Sequence, residues 1–240
     1  MLKIAILKAD HIPESRWQYS GGDYPEMIKK FFVTTGKNIN FLSFDVSNKQ
    51  YPLEFSEIDC FIITGSRANL CDNKDWINEL KVRILEYYKL RKKIIGICFG
   101  HQLLAELFGG KVEKSKQGLN IGIQTLVFDK ELDWMTPFQS SLNLSHCHKY
   151  IVSKLPNNSK AIAKSPLHDI AAFTMDDNVL GIQAHPEMLK KHCIYLEDKI
   201  INKDKKQFED KNISKHNKCN EIEEVDCQIV AKWLINFINS

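Results

Sequence analysis

Three short segments of this 240-residue chain carry side chains suited to acyl-transfer chemistry. The first is Gly96-Ile97-Cys98-Phe99-Gly100-His101-Gln102. A cysteine between an apolar run and a helical pattern, flanked by Gly96 and Gly100, fits a tight turn that pushes a nucleophile out of the fold. The turn sets the Phe99 N–H at a helix start, where the positive end of the dipole favours thiolate over thiol. The second segment is Gln183-Ala184-His185-Pro186-Glu187. His185 is the candidate to move a proton between thiol, leaving group and water, and Glu187 is near enough in sequence to hold its ring in one tautomer. The third is Thr64-Gly65-Ser66-Arg67, where Gly65 lets the backbone approach a ligand and offer an oxyanion donor beside Phe99 N–H. Each segment has a plainer reading alone: a buried cysteine in a glycine turn, a chance His-Pro-Glu, a strand-ending turn. All three directly follow a predicted strand, and in open parallel sheets ligands bind outside the carboxyl ends of the strands.

The elements that must position them are short apolar runs alternating with helical patterns, which imply a parallel sheet flanked by helices. Strands are expected at Lys3–Lys8, Asn40–Phe44, Ile58–Thr64, Ile94–Ile97 and Val179–Ala184. A helix is expected over Pro25–Thr35, stopped by Gly36. Another starts at Asp75, with Ile77, Leu80, Ile84 and Tyr87 on one face. Its end carries Lys89, Arg91, Lys92 and Lys93, which suit the negative end of the helix dipole better than a nucleic-acid patch. His101–Phe108 forms the helix after the cysteine and stops at Gly109-Gly110. Between Lys111 and Thr174 only strand-like runs stand out: Ile121–Phe128, Ala161–Lys164 and Ile170–Thr174. Residues 202–220, rich in lysine, predict a solvated helix or loop. Glu221–Ile238 reads as an amphipathic helix that packs back on its own domain.

These residues resemble the class I glutamine amidotransferase family over about residues 1–200. GICFGHQ is similar to its nucleophile turn, HPE to its His–Glu pair and TGSRAN to its oxyanion strand. Leu144-Ser145-His146-Cys147-His148 is similar to its substrate-side segment, but Cys147 and His148 stand where Gly-Asp is usual. The match to stand-alone γ-glutamyl peptidases and to GMP-synthase-like amidotransferase domains is the nearest in look. It implies a flavodoxin-like three-layer α/β fold with a central, mostly parallel sheet. It further implies a thioester mechanism on a γ-glutamyl amide or peptide, with Cys98 as nucleophile, His185 as general base and acid, and Glu187 as its orienter. Gly65 and Phe99 would form the oxyanion hole, and Gln102, with Ser145 and His146, would hold the substrate. Two alternatives accompany this expectation: a glutaminase that hands ammonia to a separate synthetase partner, and a catalytically silent regulatory or binding protein on the same fold. Residues 1–200 form the expected amidotransferase-like domain, and 201–240 a charged segment with the C-terminal helix.

Composition excludes several other classes. The chain is 43% hydrophobic and 26% charged, an ordinary globular balance that disfavours disorder and coiled coil. A net charge of +3 is too small to indicate nucleic acid or a membrane surface as a partner. No apolar run approaches the roughly 18 residues of a membrane span, and the N-terminus reads as a buried strand, not a signal peptide. Seven scattered cysteines, an odd number, fit a cytoplasmic protein without a disulfide framework. His146-Cys147-His148 and His192-Cys193 lack the ligand spacing of structural zinc, so no metal site is expected. No cofactor is implied, and no Walker-type phosphate loop occurs.

Overall fold

The structure is a computed structural model that describes residues 1–203, 219, 222 and 224–240. The chain runs through β1 (Leu2–Lys8), a short α1 (Trp17–Ser20), α2 (Tyr24–Val33), β2 (Ile39–Asp45) and β3 (Cys60–Ile63). It continues through α3 (Asp75–Lys89), β4 (Lys93–Ile97) and α4 (Phe99–Leu107). Next come β5 (Lys111–Lys114), β6 (Asn120–Val127), β7 (Ser141–His148), β8 (Tyr150–Lys154), β9 (Ser159–Ser165), β10 (His168–Met175) and β11 (Val179–Ile182). Two further helices follow, α5 (Lys190–Lys203) and α6 (Cys227–Asn239).

Among the described residues the main sheet has the order β2-β1-β3-β4-β11-β10-β9-β6-β7. Its first five strands are mutually parallel, and their order is the 2-1-3-4-5 of flavodoxin-like sheets. The fold is thus the expected α/β architecture, with an antiparallel extension of β10, β9, β6 and β7. Chain length explains the change of direction. Only Pro166 and Leu167 separate β9 from β10, far short of the dozen or so residues a parallel crossover needs.

Alternation along the strands builds the two outer layers. Ile4 and Ile6 of β1, Ile62 of β3 and Ile95 of β4 face α2 and α6, in one core with Phe32, Val230 and Trp233. Ala5 and Leu7, Phe61 and Ile63, and Ile94 face the other way, onto Leu80, Ile84 and Tyr87 of α3 and Leu103 of α4. A side-chain period of two per strand requires this division. Tyr87 stacks on Phe61 with ring centroids 3.8 Å apart. The C-terminal α6 is tied down by Trp233, whose Nε1–H donates to Pro137 O at 2.9 Å.

Three local features were not legible in the sequence. The Ser141–His148 segment is a strand paired with β6 along its whole length, hidden by its run of polar residues. The helix α5 follows the His185 segment directly, and its sparse apolar residues mask its period. α4 begins at Phe99, two residues before the expected start. The expected solvated helix or loop over 202–220 falls almost wholly outside the described residues. No helix among the described residues is long and apolar enough to cross a membrane.

Behind the carboxyl ends of the strands lies a buried group of histidines. His101 is 0% and His168 8% exposed, and His146 and His148 are likewise buried. Burial pushes the His101 imidazole down to about 3, with the neighbouring His168 adding to it, and pushes His168 down to about 4. The unfolded chain takes up these protons below about pH 6.5, while the folded protein stays neutral until far lower pH. Stability is therefore complete above about pH 6.5 and falls as pH drops towards the folded values. For His101 alone the loss reaches about 2 kcal/mol by pH 5. Urea midpoints of wild type and His101→Gln at pH 5 and pH 8 check this. The wild type is expected to lose more stability on acidification, and parallel losses would contradict the assignment.

Candidate active site

The three segments singled out above come together at the carboxyl ends of β3, β4 and β11. Cys98 follows β4 with φ 53° and ψ −96°, a conformation that side-chain-bearing residues rarely adopt and that stores strain at functional turns. The chain can take it because Gly96 and Gly100 give the backbone room. A Cβ on Gly96 would lie 2.4 Å from the Gly100 carbonyl carbon, and one on Gly100 would lie 2.6 Å from Ile63 O. The cysteine amide donates to Ile182 O at 2.9 Å, and its carbonyl accepts from Gln102 N–H at 3.1 Å. The thiol is thereby fixed at the start of α4, beside the Phe99 amide, where the first helical N–H groups have no intrahelical acceptor.

His185 lies beyond β11, locked by its own backbone N–H, which donates to Ser145 O at 2.8 Å. Its Nδ1 stands 2.8 Å from Glu187 Oε1, and both side chains are buried. The ring is close enough to Cys98 for the two side chains to interact by charge and by hydrogen bond. Burial alone would depress the imidazole. The sulfur of Cys98, the carboxylate of Glu187 and hydrogen bonds to both outweigh it, so protonation is favoured well above the ordinary histidine value. Gly65 passes flat against this ring: a Cβ there would meet His185 Cε1 at 2.6 Å. The Gly65 turn is laced to the end of β1, since Thr64 Oγ1 accepts from Ala9 N–H at 2.9 Å. Ser66 Oγ donates to Ala9 O at 3.0 Å.

A cleft of about 670 Å³ opens over these groups and is lined by Cys98, His185, Gln102, Tyr24, Cys147 and His148, among others. Gln102 reaches its wall, with Nε2 donating to Tyr150 O at 2.9 Å and to Gln183 Oε1 at 3.1 Å. Ser145 and His146 are placed differently from the expected substrate contacts. Both are fully buried. The Ser145 hydroxyl donates to Met188 O at 3.0 Å, and His146 Nδ1 faces His148 Nε2 at 3.3 Å. Side chains alternate along β7, but the strand ends here, and Cys147 and His148 are the ones that reach the cleft.

Sequence reasoning missed the opposite wall. Tyr24 opens α2, held by Asp23, whose Oδ1 accepts from Tyr24 N–H at 2.9 Å. Burial pushes the Tyr24 hydroxyl well up, and the charges of Asp10, Glu187, Cys98 and Cys147 add to it, which puts the phenol in the electrostatic reach of the thiol. From α5 come His192, Tyr195, Leu196 and Lys199. Their i, i+3, i+4, i+7 spacing is a readable helical face, and it was the one available signal for them.

A family model for glutamine amidotransferase class-I matches residues 19–202. Gamma-glutamyl peptidase 4 of Arabidopsis thaliana is 31% identical over 166 residues, covering 66% of this chain and 66% of that protein. The chain therefore spans just under two thirds of the length of that relative. The glutamine-hydrolysing subunit of the GMP synthase of Ignicoccus hospitalis is 29% identical over 169 residues, 70% of this chain and 85% of its own. Among solved structures, a glutamine amidotransferase of Thermotoga maritima superposes with a TM-score of 0.76 at 18% identity, covering 100% of this chain and 99% of its own. That likeness is one of fold. With the family match running from α1 through α5, the chain belongs to the class-I glutamine amidotransferase family.

Proposed function

We propose that the chain is a cysteine hydrolase acting on a γ-glutamyl amide or peptide bond through a thioester at Cys98. The observation that carries this reading is the strained turn holding Cys98 against a buried His185–Glu187 pair. Cys98 Sγ attacks the γ-carbonyl carbon, and the oxyanion forms against the Phe99 amide and the Gly65 turn. His185 gives its proton to the departing nitrogen, the C–N bond breaks and the thioester remains. The same ring then takes a proton from water, whose oxygen attacks the thioester and frees the γ-carboxylate and the thiol. Glu187 holds the ring and balances its charge throughout. The proposal takes residues 1–200 as the domain that does this, 201–240 as an addition to it, and the cytoplasm as its setting.

A peptide substrate is favoured over glutamine by the size of the cleft and by the similarity to a gamma-glutamyl peptidase. The similarity to a glutamine-hydrolysing GMP synthase component favours a second reading, in which glutamine is hydrolysed and ammonia passes to a separate synthetase. A panel of glutamine and γ-glutamyl dipeptides, assayed with the purified chain, separates them. The expected result is release of the second amino acid from the dipeptides at least ten times faster than ammonia from glutamine. Ammonia release alone, or none without an added synthetase, would decide for the second reading.

A further inference from the structure

The cleft extends well past the thiol, and its charge is one-sided. Its volume of about 670 Å³ falls in the roughly 300–1,000 Å³ range of sites that enclose ligands much larger than one amino acid. Arg16, Arg67, Lys149 and Lys199 reach its wall, and among the described lining residues there is no aspartate or glutamate. Arg67 is already committed, with Nε and Nη2 each 2.8 Å from the Asp10 carboxylate. Arg16 and Lys199 make no ion pair among the described residues.

These two cations stand on one braced wall. Arg16 closes the turn that leads into α1. α1 is pinned to α5 by the stacking of Tyr19 on Tyr195, with centroids 3.8 Å apart and planes 12° from parallel. Lys199 lies one turn along α5, its Nζ 5.5 Å from the centre of the Tyr195 ring. Between them His192 is 4% exposed, and its Nδ1 is buried without a partner. Burial, helped by the charges of His185, Arg16 and Lys191, pushes its imidazole down to about 4. A neutral, buried ring among cations marks a region of positive potential that an anion would relieve.

We infer that this wall is a subsite for a carboxylate on the leaving half of the substrate, with Arg16 and Lys199 as its partners. The inference rests on the γ-glutamyl hydrolase reading and narrows it. The substrate class is a γ-glutamyl peptide whose second residue bears a free carboxylate, and uncharged γ-glutamyl amides are poorer substrates. A charge-assisted contact at this depth supplies that discrimination, because guanidinium and carboxylate pair with fixed geometry.

The test compares γ-glutamyl-alanine with its C-terminal amide. Wild type is expected to turn over the acid at least ten-fold better in kcat/KM, and the preference should shrink as salt is added. The Arg16→Gln, Lys199→Gln double variant is expected to bring the ratio close to one, and Arg16→Lys to keep part of it. Equal rates on acid and amide in wild type, or a ratio unmoved in the double variant, would overturn the subsite. Turnover of neither peptide would instead count against the hydrolase reading. Calorimetric binding of the two peptides to Cys98→Ala then decides the subsite by itself, with tighter binding of the acid as the supporting result and equal or absent binding as the refuting one.

Discussion

Replacing Cys98 by alanine is expected to lower turnover of any γ-glutamyl substrate by about 10⁴-fold or more, because removal of a covalent nucleophile leaves only binding and oxyanion stabilisation. Folding should survive the change. Cys98 is 5% exposed, and alanine keeps its Cβ while removing only the sulfur. The strained backbone at φ 53° remains in that variant. Cys98→Gly removes the strain as well as the sulfur, and is expected to be more stable than Cys98→Ala by about 1 kcal/mol. Paired measurement of activity and urea midpoint in the two variants therefore reads two separate properties of one turn. Activity retained in Cys98→Ala would end the thioester proposal. A glycine variant no more stable than the alanine variant would show that the turn stores no strain.

Adding one methyl group at Gly96 is expected to do comparable damage by a different route. A Cβ there would sit 2.4 Å from the carbonyl carbon of Gly100, 2.5 Å from its oxygen and 2.7 Å from His101 N. All three are backbone atoms, so no side chain can swing aside and either β4 or the first turn of α4 must move. Overpacking that displaces backbone costs about 3 kcal/mol or more, equivalent to a fall of roughly 6–12 °C in Tm at this chain length. Activity should fall with it, since the same turn aims the thiol. Gly36→Ala is the natural control: Gly36 has φ +67° but nothing within 4 Å of an added Cβ. Its loss should be limited to about 1 kcal/mol of backbone strain. Thermal melts in which the two variants match would refute the packing argument.

Much of the scaffold was written in local patterns. The parallel strands are short apolar runs whose alternating residues serve two cores, and α3 shows its buried face at Ile77, Leu80, Ile84 and Tyr87. Such signals survive without a structure because burial acts on each element with its own period. The Cys98 turn was equally plain, since only glycines permit the approach of β4 to α4. By contrast, β7 and α5 carry polar residues whose burial depends on partners far along the chain, and no local period announces them.

What the amino-acid order determined by itself is therefore the chemistry on offer: a cysteine, a histidine and a glutamate, each beyond the end of a strand. Folding alone decided their company. It set Nδ1 of His185 2.8 Å from Glu187 and beside Cys98, turned Ser145 and His146 inward, and brought Cys147 and His148 to the cleft instead. It also raised a wall from Arg16 and α5 opposite the thiol. The physical reason is that orientation at a site arises from contacts between segments distant in sequence, and those contacts exist only once the sheet and its layers have closed around them.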